Sequence, residues 1–293
     1  MGAPDVGGDT SATAAATAVV EIIDAEWAWR EAEFGSLSHK ATIVDFLPDV
    51  GLEAQERRQA MWEATLARLD AIDAATLSAS ERIDFQVYRE QLVTLIAAQR
   101  HRMWERPATA DSAFWRGLAF DAYRLVLEDE AAAEAYLRML RDIPRYFSQQ
   151  IENMRAGVTR GFGPARICMR GREEPVRAIA EAKEATEVAF FGPFRRLPTV
   201  MPAGVRDRLR AEALTVLTEE VIPAYRRLLA FLTGEYLPQL PDSIAAVDQP
   251  GGMDFYRSQI REYATIDLTP QEIFDLGQSE VGKIRAEMED RKS

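Results

Sequence analysis

Residues 249–288 read QPGGMDFYRSQIREYATIDLTPQEIFDLGQSEVGKIRAEM, and they constrain the fold more than any other stretch because they spell out a complete helix start. Thr269 stands at the N-cap and Pro270 at the first helical position, where a missing N–H costs nothing. Glu272 follows at the third, within reach of the cap's own N–H. Leu268 before the cap and Ile273 at the fourth position complete a hydrophobic staple. From there Ile273, Leu276, Val281, Ile284 and Met288 recur at helical spacing, predicting one apolar face that needs a cover. Gly277 and Gly282 each cost about 1 kcal/mol relative to alanine inside a helix, which predicts close approach of a neighbouring backbone.

The rest of the chain reads the same way and predicts an all-α fold of long antiparallel helices and helical hairpins. Residues 1–12 are rich in Gly, Asp, Thr and Ser and are expected to form a mobile tail, with 13–293 a single helical domain. Val19, Ile23 and Trp27 space out a first helix ending near Phe34. Gly35 to Gly51 breaks the period, and a second helix starts at Leu52 with Trp62, Leu66, Leu69 and Ile72 inward. Ser78 and Glu81 form another capping box, with Ile83, Val87, Leu92, Leu95, Ile96 and Met103 as the apolar positions of a third helix. Arg106 to Gly117 reads as a break, followed by a helix from about Asp129 to Gly157 that contains Pro144. Further helices are expected over Glu174 to Phe191 and Val205 to Leu232, the latter holding Pro223 and capped by Gly234. No strand pattern of useful length and no fixed-period repeat is present.

The 47 acidic against 35 basic residues leave a net charge of -12, which repels nucleic acid phosphates and anionic membrane surfaces. The N-terminus has no basic residue ahead of its alanine run, as a secretory signal would need, so the expected location is cytoplasmic. Cys168 is the only cysteine, excluding an internal disulfide and a tetrathiolate metal site, and it is expected to pack as a small apolar group. His39 and His101 are the only histidines, in different elements, and neither carries the neighbouring Glu of a helical zinc motif. No metal ligands, cofactor or catalytic residue is therefore assigned to this chain.

Residues 157–175, GVTRGFGPARICMRGREEP, fit no helical or strand period and form the best loop candidate for binding. Arg166 or Arg172 could hold a carboxylate through two parallel hydrogen bonds. The alternative is a solvated connector whose arginines pair with the protein's own acids.

Several of these stretches carry a resemblance. Gly252-x-x-Phe255-Tyr256, then Thr265, then LTPQEIFDLGQSEVGKIRAEM resembles the bacterial domain-of-unknown-function family 885. So do SERIDFQVYREQL, the loop from Gly157 to Arg166, and VIPAYRRLLAFLTGEYLP, so that the likeness runs from Trp27 to Met288. Proteins of this family are large, all-helical and similar to zinc metallopeptidases of the His-Glu-x-x-His type. The resemblance implies that this chain corresponds to the N-terminal, cleft-wall half of such a hydrolase, inactive alone, with zinc bound in the other half. It also implies that Tyr256 is a cleft residue, the alternative being core packing, with Arg166 a candidate for the same substrate. Rival readings are a split hydrolase completed by a separate metal-binding chain on the 270–290 helix, self-association through that helix, or a non-catalytic helical scaffold. A peptide-like substrate is expected only for the completed protein.

Overall fold

The computed structural model describes residues 7–35 and 45–291, with side chains from residue 14 onward. His39 and most of the loop expected between Gly35 and Gly51 lie outside the described residues. The described residues form helices and no strand, apart from one isolated bridge between Ala108 and Ala113. The fold is all-α. The chain divides into two compact units, Met1–Ser243 and Ile244–Ser293. The first helix starts at Gly7, inside the segment expected to be a tail, because the alanine-rich run that follows is itself a strong helix former.

The larger unit opens with three helices, α1 (Gly7–Phe34), α2 (Leu52–Asp70) and α3 (Ala79–Arg100). The α3 start is the capping box read from the sequence: Ser78 accepts from the Glu81 N–H, and Glu81 accepts from the Ser78 N–H at 2.8 Å. Val19, Ile22, Trp62, Leu69, Phe85, Tyr88, Leu92 and Ile96 make the shared core. The expected faces hold at Val19, Leu92 and Ile96 but are rotated elsewhere. Trp27, Ile83 and Val87 are exposed, while Ile22, Phe85 and Tyr88 point inward. Buried Glu26 explains part of this rotation, since it must find donors. Arg30 pairs with it at 2.7 Å, Trp62 Nε1 donates at 2.9 Å and Tyr88 Oη at 3.2 Å. Burial, followed by the charge of Glu26, pushes the Tyr88 hydroxyl well above the usual tyrosine range.

A second core belongs to α4 (Phe114–Arg124), α5 (Glu130–Thr159), α6 (Glu174–Ala180), α7 (Gly192–Arg195), α8 (Ala203–Val216), α9 (Ile222–Phe231) and α10 (Leu237–Gln239). Asp129 caps α5 by accepting from the Ala132 N–H at 2.8 Å, and the helix runs on through Pro144. At its centre Phe147 meets Phe114 and Tyr225 edge-on at 5.3 and 4.9 Å. The Tyr225 hydroxyl donates to the Trp115 carbonyl at 3.1 Å.

Three expectations are corrected here. The break expected over 106–117 contains the start of α4, whose Trp115 is fully buried. The helix expected to reach Phe191 ends at Ala180, and two 3-10 turns, at Ala185–Glu187 and Ala189–Phe191, carry the chain to α7. Gly234 does not stop the long helix. Two π-turns, Leu217–Val221 and Leu232–Tyr236, join α8, α9 and α10 end to end. Each lies just ahead of a proline, Pro223 or Pro238, where the ring's missing N–H breaks the regular ladder and a wider turn takes up the mismatch. Among the described residues no helix is long and apolar enough to cross a membrane.

The smaller unit holds α11 (Gly252–Ala264) and α12 (Pro270–Asp290). A Cβ on Gly252 would lie 1.6 Å from the Ala246 carbonyl oxygen, which is a physical reason for glycine at the head of the Gly252-x-x-Phe255-Tyr256 motif.

Candidate functional site

The loop after α5 is built, not loose. Gly161 N donates to Val158 O at 2.9 Å and Phe162 N to Gly157 O at 2.8 Å, the paired bonds of a Schellman end. Phe162 is buried beneath the guanidinium of Arg160, 4.5 Å from its ring. Arg160 in turn holds the buried carboxylate of Glu105 through two bonds, at 2.8 and 2.6 Å. Removing one partner of such a pair strands a buried charge, so these contacts pin the loop to the preceding helices.

Arg166 follows at the start of a short 3-10 turn, Arg166–Met169. Its main-chain N–H donates to Pro241 O at 2.8 Å, and its guanidinium donates to Leu240 O at 2.7 Å and Pro238 O at 3.3 Å. Asp242 lies 3.4 Å away. The side chain thus satisfies carbonyls around the end of α10, the natural place for a cation at a helix C-terminus. This supports the self-pairing reading of that arginine, although one edge still lines a cleft of about 300 Å³ with Ile167, Met169, Arg170, Glu173 and Asp242. The exposed Arg170 guanidinium makes no ion pair with any described acid, and across the cleft one Glu173 carboxylate oxygen is buried without a hydrogen-bond partner. Arg170, which sequence reasoning did not single out, lines this cleft beside Arg166, and the neighbouring arginines of the loop look equivalent in the sequence until their acceptors are known. Cys168 is only half buried.

Tyr256 sits on α11 and is 41% exposed, which corrects the core-packing alternative. Arg166 and Tyr256 fall in different units.

The α12 start matches its sequence signature. Thr269 N donates to Glu272 Oε2 at 2.7 Å and Glu272 N to Thr269 Oγ1 at 3.2 Å. The Thr269 N–H bond, then the Thr269 hydroxyl, holds the Glu272 carboxyl below the usual glutamate range. No α12 residue is buried: Leu276, Val281, Ile284 and Met288 are exposed and Ile273 is half-buried. A Cβ on Gly277 or Gly282 would meet nothing within 4 Å, so the close backbone approach expected of them is absent among the described residues.

Zinc, implied by the resemblance for the longer family, needs about three convergent protein ligands. Among the described residues no three His, Cys, Asp or Glu side chains are placed to hold a metal ion, so these residues do not fit a zinc site. His101 ends α3, its main-chain N–H donating to Ala97 O at 3.0 Å.

Residues 32–292 match the family model described as a bacterial protein of unknown function, DUF885. The chain belongs to this family. Among solved structures it is similar to one titled "The crystal structure of the putative lipoprotein from Colwellia psychrerythraea", with a TM-score of 0.73 and 15% sequence identity. The likeness covers 95% of this chain and 50% of that one, so this DUF885 chain spans about half the length of its structural relative. At that identity the likeness establishes the fold alone. The comparison with curated proteins finds no match.

Proposed function

We propose that this DUF885 chain forms the cleft-wall half of a zinc metallopeptidase-like hydrolase, and that hydrolysis needs a metal-bearing half carried by sequence outside these residues. The observation that carries this reading is the coverage: nearly all of the chain superimposes on only half of a larger helical protein. In this reading the Arg170 edge of the 300 Å³ cleft, shaped by Arg166, is what the larger unit offers a peptide-like substrate, and Tyr256 is a separate candidate on the smaller unit.

The apolar face of α12 favours a second form of the same reading, in which the metal-bearing half is a separate chain seated on Leu276, Val281, Ile284 and Met288. Full burial of such a side chain is worth about 1.5 to 3 kcal/mol, and covering the exposed half of each here favours association.

The test is elemental analysis and peptide hydrolysis on the purified chain after gel filtration. The expected outcome is no stoichiometric zinc and no hydrolysis. One tightly held zinc per chain, or hydrolysis abolished by a chelator, overturns the proposal.

A further inference from the structure

A groove of about 720 Å³ runs between α1 and α3, floored by Val19 and Tyr88 at the edge of the first core. Its α1 wall is Ala16, Val19, Val20 and Ile23, and its α3 wall is Asp84, Val87, Tyr88 and Gln91. Both sets follow the i, i+3, i+4, i+7 spacing of a single helical face. The two walls therefore present parallel ridges of the kind into which a further helix packs. Val20 is 55% exposed and Val87 67%, and Ile83, one turn before Val87, is also exposed. Ile83 and Val87 are apolar positions that the helix-period reading turns inward and the fold turns outward.

The charge of the groove selects its occupant. Every ionisable side chain lining it, apart from the core hydroxyl of Tyr88, is a carboxylate: Glu21 from α1, Glu81 and Asp84 from α3. No lysine, arginine or histidine lines it among the described residues. The Ser78 hydroxyl and then the Ser78 N–H hold the Glu81 carboxyl below the usual glutamate range. An apolar floor with an acidic rim matches an amphipathic helix that carries aliphatic residues on one face and basic residues at its flanks. The α3 wall from Glu81 to Gln91 is about 15 Å long at 1.5 Å per residue, which suits roughly three turns of such a helix.

We propose that the groove between α1 and α3 is a docking site for a cationic amphipathic helix of a partner protein, held by Val20, Ile23 and Val87 and oriented by Glu21 and Asp84. This inference is independent of the hydrolase reading, since it uses neither the Arg166 cleft nor α12.

The probe is a labelled synthetic helical peptide with leucines at i, i+3, i+4 and i+7 and lysines beside them, paired with a version bearing glutamates in place of the lysines. Fluorescence anisotropy on the full chain should show the lysine peptide binding more tightly by on the order of tenfold or more, with the gap narrowing as salt rises. Val87→Arg should weaken the lysine peptide by a similar factor. The double variant Glu21→Lys, Asp84→Lys should reverse the preference. All three positions are exposed, and circular dichroism with a denaturant midpoint checks that each variant is folded. Val20→Arg serves in place of any variant that is not. Equal affinity for both peptides, no binding of the lysine peptide, or binding unchanged by the arginine substitutions overturns the proposal. So does self-association of the unmodified chain that Val87→Arg abolishes, which would make the occupant a second copy.

Discussion

Helices α5 and α12 begin alike and end up in opposite circumstances. Both are long, both are amphipathic, and both start at a side-chain cap, Asp129 in one and Thr269 in the other. Helix α5 buries Tyr136, Leu137, Leu140, Ile143, Phe147 and others, whereas α12 buries nothing. Their glycines differ in the same sense. A Cβ on Gly157 would come within 2.7 Å of the Glu105 carbonyl oxygen, while Gly277 and Gly282 face open space. A cap is settled within four residues of chain, but the fate of an apolar face depends on what the rest of the molecule brings to it. Helix α5 draws its stability from packing, and α12 rests on its cap and its intrinsic propensity.

The largest test of that contrast is truncation. Leu140→Ala, at a site with no exposed surface, should lower the unfolding free energy by about 2 to 5 kcal/mol in a denaturant titration. Ile284→Glu in α12 should change it by no more than about 0.5 kcal/mol, while reducing any self-association seen by light scattering. A comparable loss from both changes would mean that the α12 face is covered in solution.

Glycine replacements give a smaller effect of opposite sign in the two helices. Gly157→Ala should cost about 1 to 3 kcal/mol, because the new methyl group meets main chain and not a movable side chain. Gly277→Ala should raise α12 helicity, worth up to about 1 kcal/mol, read from slower amide exchange across the helix. Slower exchange in neither variant, or a stabilised Gly157→Ala, would break the comparison.

The smallest effect is electrostatic. Because the folded α12 start holds Glu272 below its ordinary pKa, its stabilisation is present above the ordinary glutamate range and is lost as pH falls through the folded value. Glu81 in α3 is shifted in the same direction by the Ser78 hydroxyl and then the Ser78 N–H. Carbon chemical shifts followed through an acid titration should show the first turn of α12 losing helicity while α3, anchored by Phe85 and Leu92, keeps it. Glu272→Gln should flatten the α12 response, and an unchanged response would reassign it to another group.

What was legible in the sequence was local. Both capping boxes, at Ser78 and Thr269, stand where three or four neighbouring residues place them, and the all-helical class followed from the period of the apolar positions. Which face turns inward was not legible for α1 and α3, because Glu26 is buried against Trp62 and Tyr88 from distant segments. Helix α4 was hidden by Pro107 upstream and by Gly117 within it, and only the pocket around Trp115 decides in its favour. The same holds for the loop after α5. Its arginines look alike in the sequence, yet Arg160 belongs to Glu105 and Arg166 to the Leu240 carbonyl, partners 55 and 74 residues away.

The two π-turns in the run from α8 to α10 act as a phase correction. Buried residues there recur every fourth position, at Leu209, Ala213, Leu217, Val221 and Tyr225, and again at Leu228, Leu232, Tyr236 and Leu240. At about 100° per residue a strict four-residue repeat drifts by roughly 40° each step, so an unbroken α-helix would carry its later members round to the solvent side. Each π-turn accommodates one surplus residue and winds the stripe back toward the core. The run is in effect a helix with two one-residue insertions: it can lose a residue within Leu217–Val221 or Leu232–Tyr236 by closing the π-turn to an α-turn with everything downstream keeping its face, whereas a loss elsewhere along the run turns the downstream residues by about 100°.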